Sequence, residues 1–384
     1  MRAKILVPRA MRDYQREALL AALRARRGLV VLPTGTGKTL VGSTLAYNAM
    51  RYGKRVAVLV PTKVLAEQWV DHFKRWWGVR VGVVHSEYRE VRQITVWVYA
   101  SFLKAAERAS EPLAEVFVVD EAHHAGAPGL LNALKAHAGA KIIGLTATPT
   151  RWWGQAELLG FLPVIYSMSP GAALSRRALV RLRIVPVPVS LSPREAREYE
   201  EADAEFKRVV RMLEREDDPA LRERAVRLLQ RRKLIAARAT AKVQAAVDLV
   251  KRLALTRDRV LVFTESSEVA KLIAREAGGC AVLASTPRKE RERALGEWGW
   301  QFKVLTTCRV LEEGFDVPEC DVGVIIATGT GERQLIQRVG RLLRPAGGKS
   351  EATVYFVYCR GTHEERALRK LARLFEFGSI ERYL

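Results

Sequence analysis

The segment Leu32-Pro33-Thr34-Gly35-Thr36-Gly37-Lys38-Thr39 constrains this chain more than any other. It follows the apolar run Gly28–Leu32, which reads as a buried strand, and opens the amphipathic stretch Lys38–Met50, which reads as a helix. A strand that turns sharply into a helix points free backbone N–H groups and the positive end of the helix dipole at whatever occupies the turn. Gly35 and Gly37 permit the positive φ angles and close backbone approach that this requires. An ammonium at Lys38 can reach the β- and γ-phosphates of a nucleotide, and a hydroxyl at Thr39 can ligate Mg2+. The expected ligand is ATP, held by Pro33, Thr34, Gly35, Thr36, Gly37, Lys38 and Thr39. The strict phosphate-loop pattern has glycine where this chain has Leu32.

A second signal falls later in the same half. The apolar run Val116–Val119 ends in Asp120-Glu121-Ala122-His123. A carboxylate at a strand end facing a phosphate loop is where an Mg2+ ligand belongs, which fits Asp120. Glu121 can orient and deprotonate an attacking water. The candidate metal ligands are therefore Thr39 and Asp120. The candidate catalytic groups in this half are Lys38, Asp120, Glu121 and His123.

Around these motifs the pattern is that of a parallel α/β sheet. Gly28–Leu32, Arg55–Val60, Val79–Val84, Ile94–Tyr99, Val116–Val119 and Ile142–Leu145 read as strands, with helices such as Lys63–Trp77 between them. Nearly continuous apolar strands that alternate with helices bury both faces of a sheet. From Ser192 to about Lys251 no strand pattern occurs. Asp217-Asp218-Pro219 divides this stretch into two helices: Pro193–Asp218 holds six basic and ten acidic residues, Ala220–Thr240 seven basic and one acidic. Packed antiparallel, the two attract one another. The α/β pattern returns from Arg259, with strands at Val260–Phe263, Cys280–Leu283, Lys303–Thr306, Val322–Ile326 and Thr353–Val357. The expected organisation is a first α/β domain over 1–190, a helical insertion over 191–240 and a second α/β domain over 241–384.

Composition narrows the function classes. Lys and Arg number 64 against 42 acidic residues, a net charge of +22. Such an excess attracts polyphosphate backbones and favours nucleic acid as a partner. The four cysteines, Cys280, Cys308, Cys320 and Cys359, form no CxxC pair, which argues against a zinc or iron–sulfur site. No apolar stretch approaches the roughly 18 residues of a membrane span, and the first eight residues lack the apolar core of a signal peptide. The expectation is a cytoplasmic protein with no membrane association.

The phosphate loop and the Asp-Glu-Ala-His tetrad together resemble motifs I and II of superfamily 2 helicases of the DEAH type. Further strings are similar to the remaining motifs, in order, over nearly the whole chain. Arg12-Asp13-Tyr14-Gln15 resembles the Q-motif, which implies that Gln15 bonds the adenine edge. Pro61-Thr62-Lys63 and Tyr99-Ala100-Ser101-Phe102 resemble motifs Ia and Ib, implying nucleic-acid contacts at Thr62, Lys63 and Ser101. Thr146-Ala147-Thr148 resembles motif III, and Val260-Leu261-Val262-Phe263-Thr264 resembles motif IV. Glu313-Gly314-Phe315-Asp316-Val317-Pro318 resembles motif V, with Asp316 on the ribose. Gln337-Arg338-Val339-Gly340-Arg341-Leu342-Leu343-Arg344 resembles motif VI. There Arg341 and Arg344 are the candidate arginine fingers, and Gln337 would face the attacking water or His123. Thr307 and Cys308 are further candidate strand contacts.

The resemblance implies two RecA-like parallel-sheet domains with a helical insertion, and an ATP-dependent motor on nucleic acid. The segment Leu311–Pro345 is most similar to XPB-type DNA repair helicases, archaeal ones in particular, whose helical thumb corresponds to the insertion. DNA is thus favoured over RNA. An RNA helicase, or the motor subunit of a restriction or nuclease complex, is the alternative, and a nuclease or repair protein is the expected partner class. XPB-type proteins carry Arg-Glu-Asp soon after motif III; here Arg151 is followed by Trp152 and Trp153. A non-catalytic scaffold of this fold would have lost Lys38, Glu121, Arg341 or Arg344, and all four are present.

Overall fold

The computed structural model describes residues 5–147, 155–216, 218–308, 320–326, 339–340, 342–343 and 349–374. The chain divides into two units, Met1–Ala173 and Leu174–Leu384.

The first unit runs α1 (Asp13–Arg24), β1 (Arg27–Val31), α2 (Lys38–Arg51), β2 (Val56–Val60), α3 (Lys63–Trp77), β3 (Gly82–His85), β4 (Tyr88–Glu90), β5 (Ile94–Val98), α4 (Tyr99–Ala106) and β6 (Val116–Asp120). A 3-10 turn over Ala122–Gly126, α5 (Pro128–Ala136), β7 (Lys141–Thr146), α6 (Gln155–Phe161), β8 (Val164–Ser167) and α7 (Pro170–Ser175) follow. The strands form one sheet in the order β4-β3-β5-β2-β6-β7-β1-β8. All pairings are parallel except β3 with β4. Every residue of β2 and β6 is buried, so neither strand alternates in hydrophobicity. This is expected where helices cover both faces.

The register brings the carboxyl ends of the central strands level. Val60 pairs with Val98, Asp120 with Leu145, and Val30 with Leu145. The loops after β5, β2, β6 and β1 therefore emerge along one edge, where ligand sites of open parallel sheets lie.

The second unit runs β9 (Arg181–Val189), α8 (Pro193–Leu213), α9 (Pro219–Arg238), α10 (Thr240–Thr256), β10 (Val260–Thr264), α11 (Ser267–Glu276), β11 (Cys280–Val282), α12 (Arg288–Glu297), β12 (Val304–Cys308), β13 (Val322–Ile326) and β14 (Glu351–Cys359), then a helix over His363–Leu374. Its sheet order is β11-β12-β10-β13-β14-β9. The expected boundary at 190 is thereby corrected: Arg181–Val189 pairs in parallel with Glu351–Cys359 and completes the second sheet. Pro186 and Pro188 cannot donate to a ladder, so the strand that holds them belongs at an edge, which is where β9 lies.

The insertion is a helical hairpin. Ser192 and Glu195 form a capping box at the start of α8, and Asp218 caps α9. The opposite charges of the two helices meet, with Arg224 on Glu205 and Arg232 on Asp203. Val209, Ala225 and Leu228 pack between them. α10, which follows directly, joins the sheet core through Ala246, Val247 and Val250. Its Lys242 is fully buried against Glu364. Among the described residues all four cysteines are free, and no cluster of three or more His, Cys, Asp or Glu side chains is placed to hold a metal ion. No described helix is long and apolar enough to cross a membrane.

Candidate nucleotide site

The loop between β1 and α2 takes the conformation that its glycines allow. Gly35 and Gly37 have φ of 88° and 81°. Gly37 is the N-cap of α2 and has no side chain to occupy the helix end. The loop is tied to the sheet by Leu32 N–H donating to Thr146 O at 2.9 Å. Thr36 closes it from within, its hydroxyl donating to Pro33 O at 2.7 Å. Lys38 Nζ bends back over the loop and donates to Leu32 O at 3.1 Å and Pro33 O at 3.4 Å. Such carbonyl contacts hold the ammonium at the loop mouth, where phosphate oxygens are stronger acceptors.

α1 braces the loop from outside. Tyr14 Oη and Gln15 Nε2 both donate to Thr36 O, at 2.9 and 2.8 Å. Gln15 Oε1 accepts from Arg12 N–H at 2.9 Å. The Gln15 amide is therefore engaged at both ends within the protein, which the motif alone did not indicate. Tyr14 was missed at the sequence level because a buried aromatic beside a helix start reads as core.

Asp120 ends β6 and is buried. Its Oδ1 accepts from Glu121 N–H at 2.9 Å, and its Oδ2 accepts from the indole Nε1–H of Trp69 at 2.8 Å. Burial, then the Glu121 carboxylate, push its pKa up to about 6. The Trp69 N–H, the Lys38 ammonium and the Glu121 N–H act in the opposite direction. Thr146, whose carbonyl holds the phosphate loop through Leu32 N–H and whose hydroxyl meets His123, joins the two motifs in one site. Glu121 has φ of 48°, a left-handed conformation rare outside glycine. That kink starts the 3-10 turn and redirects the chain after the strand. His123 is buried, with Nδ1 at 3.0 Å from Thr146 Oγ1 and 3.3 Å from Glu121 Oε2. Glu121 Oε2 is buried with no hydrogen bond, only the His123 ring nitrogen lying near it, and Thr34 Oγ1 in the loop is buried without a hydrogen bond as well. Buried polar atoms in that state are costly unless a ligand or water completes them. A phosphate and a water molecule are groups of the kind these atoms accept.

The nucleic-acid candidates divide. Thr62 caps α3, its hydroxyl accepting from Leu65 N–H at 3.3 Å. Lys63 is paired with Glu87, whose carboxyl the Lys63 hydrogen bond and charge hold below its usual range. The pair is exposed, so a phosphate can compete for the ammonium at small cost. Ser101 is half-buried in the first turn of α4. Thr62, Lys63 and Ser101 thus stand at the carboxyl ends of the adjacent strands β2 and β5. Thr307 and Cys308 differ: both are buried in β12, and Cys308 packs against Ala270 and Leu283. Their position inside a fully covered strand withdraws both side chains from the surface. Asp316, Gln337, Arg341 and Arg344 lie outside the described residues, as do Thr148, Arg151, Trp152 and Trp153.

A phosphate loop, a strand-end carboxylate pair and two parallel-sheet α/β units define a P-loop nucleotide-binding protein of RecA-like fold. Comparison with known proteins narrows this. Residues 9–151 match the family model described as type III restriction enzyme, res subunit, and residues 241–346 match the helicase conserved C-terminal domain. The DNA 3'-5' translocase XPB2 of Sulfurisphaera tokodaii is 27% identical over 377 residues, covering 94% of this chain and 84% of the relative. The DNA 3'-5' helicase XPB of Kineococcus radiotolerans is 27% identical over 376 residues, covering 93% of this chain and 61% of the relative. The Drosophila melanogaster XPB subunit of general transcription and DNA repair factor IIH is 26% identical, and the match spans only 46% of its length. Among solved structures, the Pyrococcus furiosus Hef helicase domain matches with a TM-score of 0.58 at 20% identity, covering 94% of this chain and 97% of that one. The DNA-bound type ISP restriction-modification enzyme LlaBIII matches with a TM-score of 0.66 at 17% identity, covering 96% of this chain and 30% of that one. These likenesses establish the fold. The two family matches and the XPB relatives together support a superfamily 2 helicase close to the XPB type.

Proposed function

We propose that this protein hydrolyses ATP and uses the energy to move along DNA, in a repair role. The observation that carries the reading is the Asp120–Glu121 pair, held at the end of β6 on the same sheet edge as the phosphate loop that follows β1. In this reading Gly35, Thr36, Gly37 and Lys38 bind the phosphates, and the Gln15 amide, with one N–H remaining, senses adenine. The Thr39 hydroxyl and Asp120 hold Mg2+. A carboxyl pushed up by burial and by a second carboxylate is a group that a divalent cation would relieve. When bound, Mg2+ neutralises charge developing on the phosphates. Glu121 Oε2 takes the proton of the attacking water. Arg341 and Arg344 supply guanidinium groups to the γ-phosphate, Gln337 orients the water, and Asp316 binds the ribose. Thr62, Lys63 and Ser101 hold the strand.

DNA as the track is supported by the archaeal and bacterial relatives, a DNA translocase and a DNA helicase. The deciding measurement is ATPase rate with no nucleic acid, with duplex DNA, with single-stranded DNA and with matched RNA. Stimulation by DNA is expected; its absence from both DNA arms would overturn the reading. Strand displacement and triplex displacement, run side by side, separate unwinding from translocation alone.

A second reading makes the chain the motor of a restriction or nuclease complex. The match of residues 9–151 to a restriction-enzyme subunit favours it. Co-purification with a nuclease whose cleavage requires Lys38 would establish it.

A further inference from the structure

The strand order sets the strand-contact candidates beside the nucleotide candidates. β5 and β2 carry Ser101, Thr62 and Lys63 on the segments that follow them, β1, on the far side of β7, leads to the phosphate loop, and β6 with its carboxylates lies between the two groups. Two side chains cross this junction. Trp69 stands two turns into α3, the helix that Thr62 caps, and donates its indole N–H to Asp120 Oδ2 at 2.8 Å. Tyr99 begins α4, two residues before Ser101, and donates its hydroxyl to Asp120 O; Glu121 O lies 3.4 Å away.

Neither contact is adjustable on its own. Trp69 is fully buried and lies on α2 as well: a Cβ on Gly42 would meet its Cη2 at 2.8 Å. The indole cannot turn without displacing the helix that begins with Lys38 and Thr39. Tyr99 bonds the two carbonyls that flank the left-handed kink at Glu121, so its hydroxyl fixes the backbone from which the candidate base projects. A phosphate seated at the starts of α3 and α4 pulls on helix N-termini. Any shift of those helices then moves the donors that orient both carboxylates.

We infer that Trp69 and Tyr99 are positioning residues that couple a nucleic-acid strand held at the starts of α3 and α4 to the carboxylates of Asp120 and Glu121. The inference rests on the proposed track-dependent ATPase. Each acts through a hydrogen bond to the 120–121 pair.

The test uses the full chain, a synthetic DNA duplex and ATP, with kcat and KM for ATP measured with and without saturating duplex and duplex affinity measured by anisotropy. Tyr99→Phe removes only a hydroxyl. The stimulation ratio of kcat is expected to fall by about three- to thirtyfold, the range of coupling through one such link. KM for ATP and duplex affinity stay within about twofold of wild type. Trp69→Phe keeps a buried ring without the N–H and should lower the ratio likewise; should it fail to fold, Tyr99→Phe decides alone. A Tyr99→Phe ratio equal to wild type, whether or not both rates fall together, overturns the inference and leaves the proposed function standing. A wild-type protein that DNA does not stimulate removes the proposed function and the inference with it.

Discussion

The Gln15 amide fills the space that a side chain at Gly37 would need: a Cβ built there would meet Gln15 Nε2 at 2.4 Å. The same nitrogen donates to Thr36 O, so loop and α1 are fitted to one another through a glycine and a glutamine.

Gly37→Ala is therefore expected to weaken the site twice over. A left-handed alanine costs about 1–2 kcal/mol, and the Gln15 contact must open. ATP affinity should fall by about tenfold, since 1.4 kcal/mol is a factor of ten, while unit folding persists. Titration with a fluorescent ATP analogue measures it; wild-type affinity would show that the loop remodels freely.

Glu121→Gln should bind ATP and lose turnover by about 10²–10⁴, the usual contribution of a positioned base. Lys38→Ala should fail at binding instead. Wild-type turnover in Glu121→Gln would remove Glu121 from the base role, and equilibrium binding beside steady-state ATPase distinguishes the two variants.

Arg344→Ala is expected to spare ATP binding and slow hydrolysis by about 10³–10⁵, the range for an arginine finger in related phosphoryl transfer. An unchanged single-turnover rate would remove Arg344 from the finger role.

The identity of the phosphate loop and the places of most strands along the chain were legible because their chemistry is local. Glycine, lysine and threonine at fixed spacing after an apolar run leave few alternatives, and the helix over Lys63–Trp77 came out at its observed bounds. What stayed hidden depends on the sheet. Trp69 reads in sequence as one member of an apolar helix stripe, and only the adjacency of β2 and β6 brings its N–H to Asp120. Pairing across long separation also hid the edge strand β9, whose residues meet partners 170 positions further along the chain, Val189 against Cys359. Thr307 and Cys308 were read from motif position alone, and burial in β12 overrides that reading.

Lys242→Met should be costly. Lys242 and Glu364 are a fully buried pair joining α10 to the last described helix, and Glu364 also accepts from Cys359 N–H at 2.8 Å. Removing one partner strands the other charge, typically at 3–5 kcal/mol. Urea unfolding of the full chain followed by a probe in the second unit should show about that loss. Lys242→Met combined with Glu364→Gln should recover part of it.

Acid should destabilise the fold through His72. Burial, then Arg75, push its pKa down to about 4 from an ordinary 6.5. Between those values the unfolded chain takes up a proton that the folded chain refuses. Stability is therefore full above about pH 6.5 and declines as pH falls toward 4, by up to about 1.4 kcal/mol per pH unit. His363, also pushed down to about 4 by burial, adds a slope of the same sign. Urea midpoints from pH 7 to 5 should decline less steeply in His72→Gln. An unchanged slope would place the proton uptake elsewhere.

The two prolines of β9 have a consequence for how these molecules coexist at high concentration. An outermost strand with open N–H groups invites a neighbour to add another strand, and so to begin a polymer. With Pro186 and Pro188 in that position the rim offers an interrupted set of donors. Replacing both with valine would complete the set and invite self-association of folded chains, which light scattering would register.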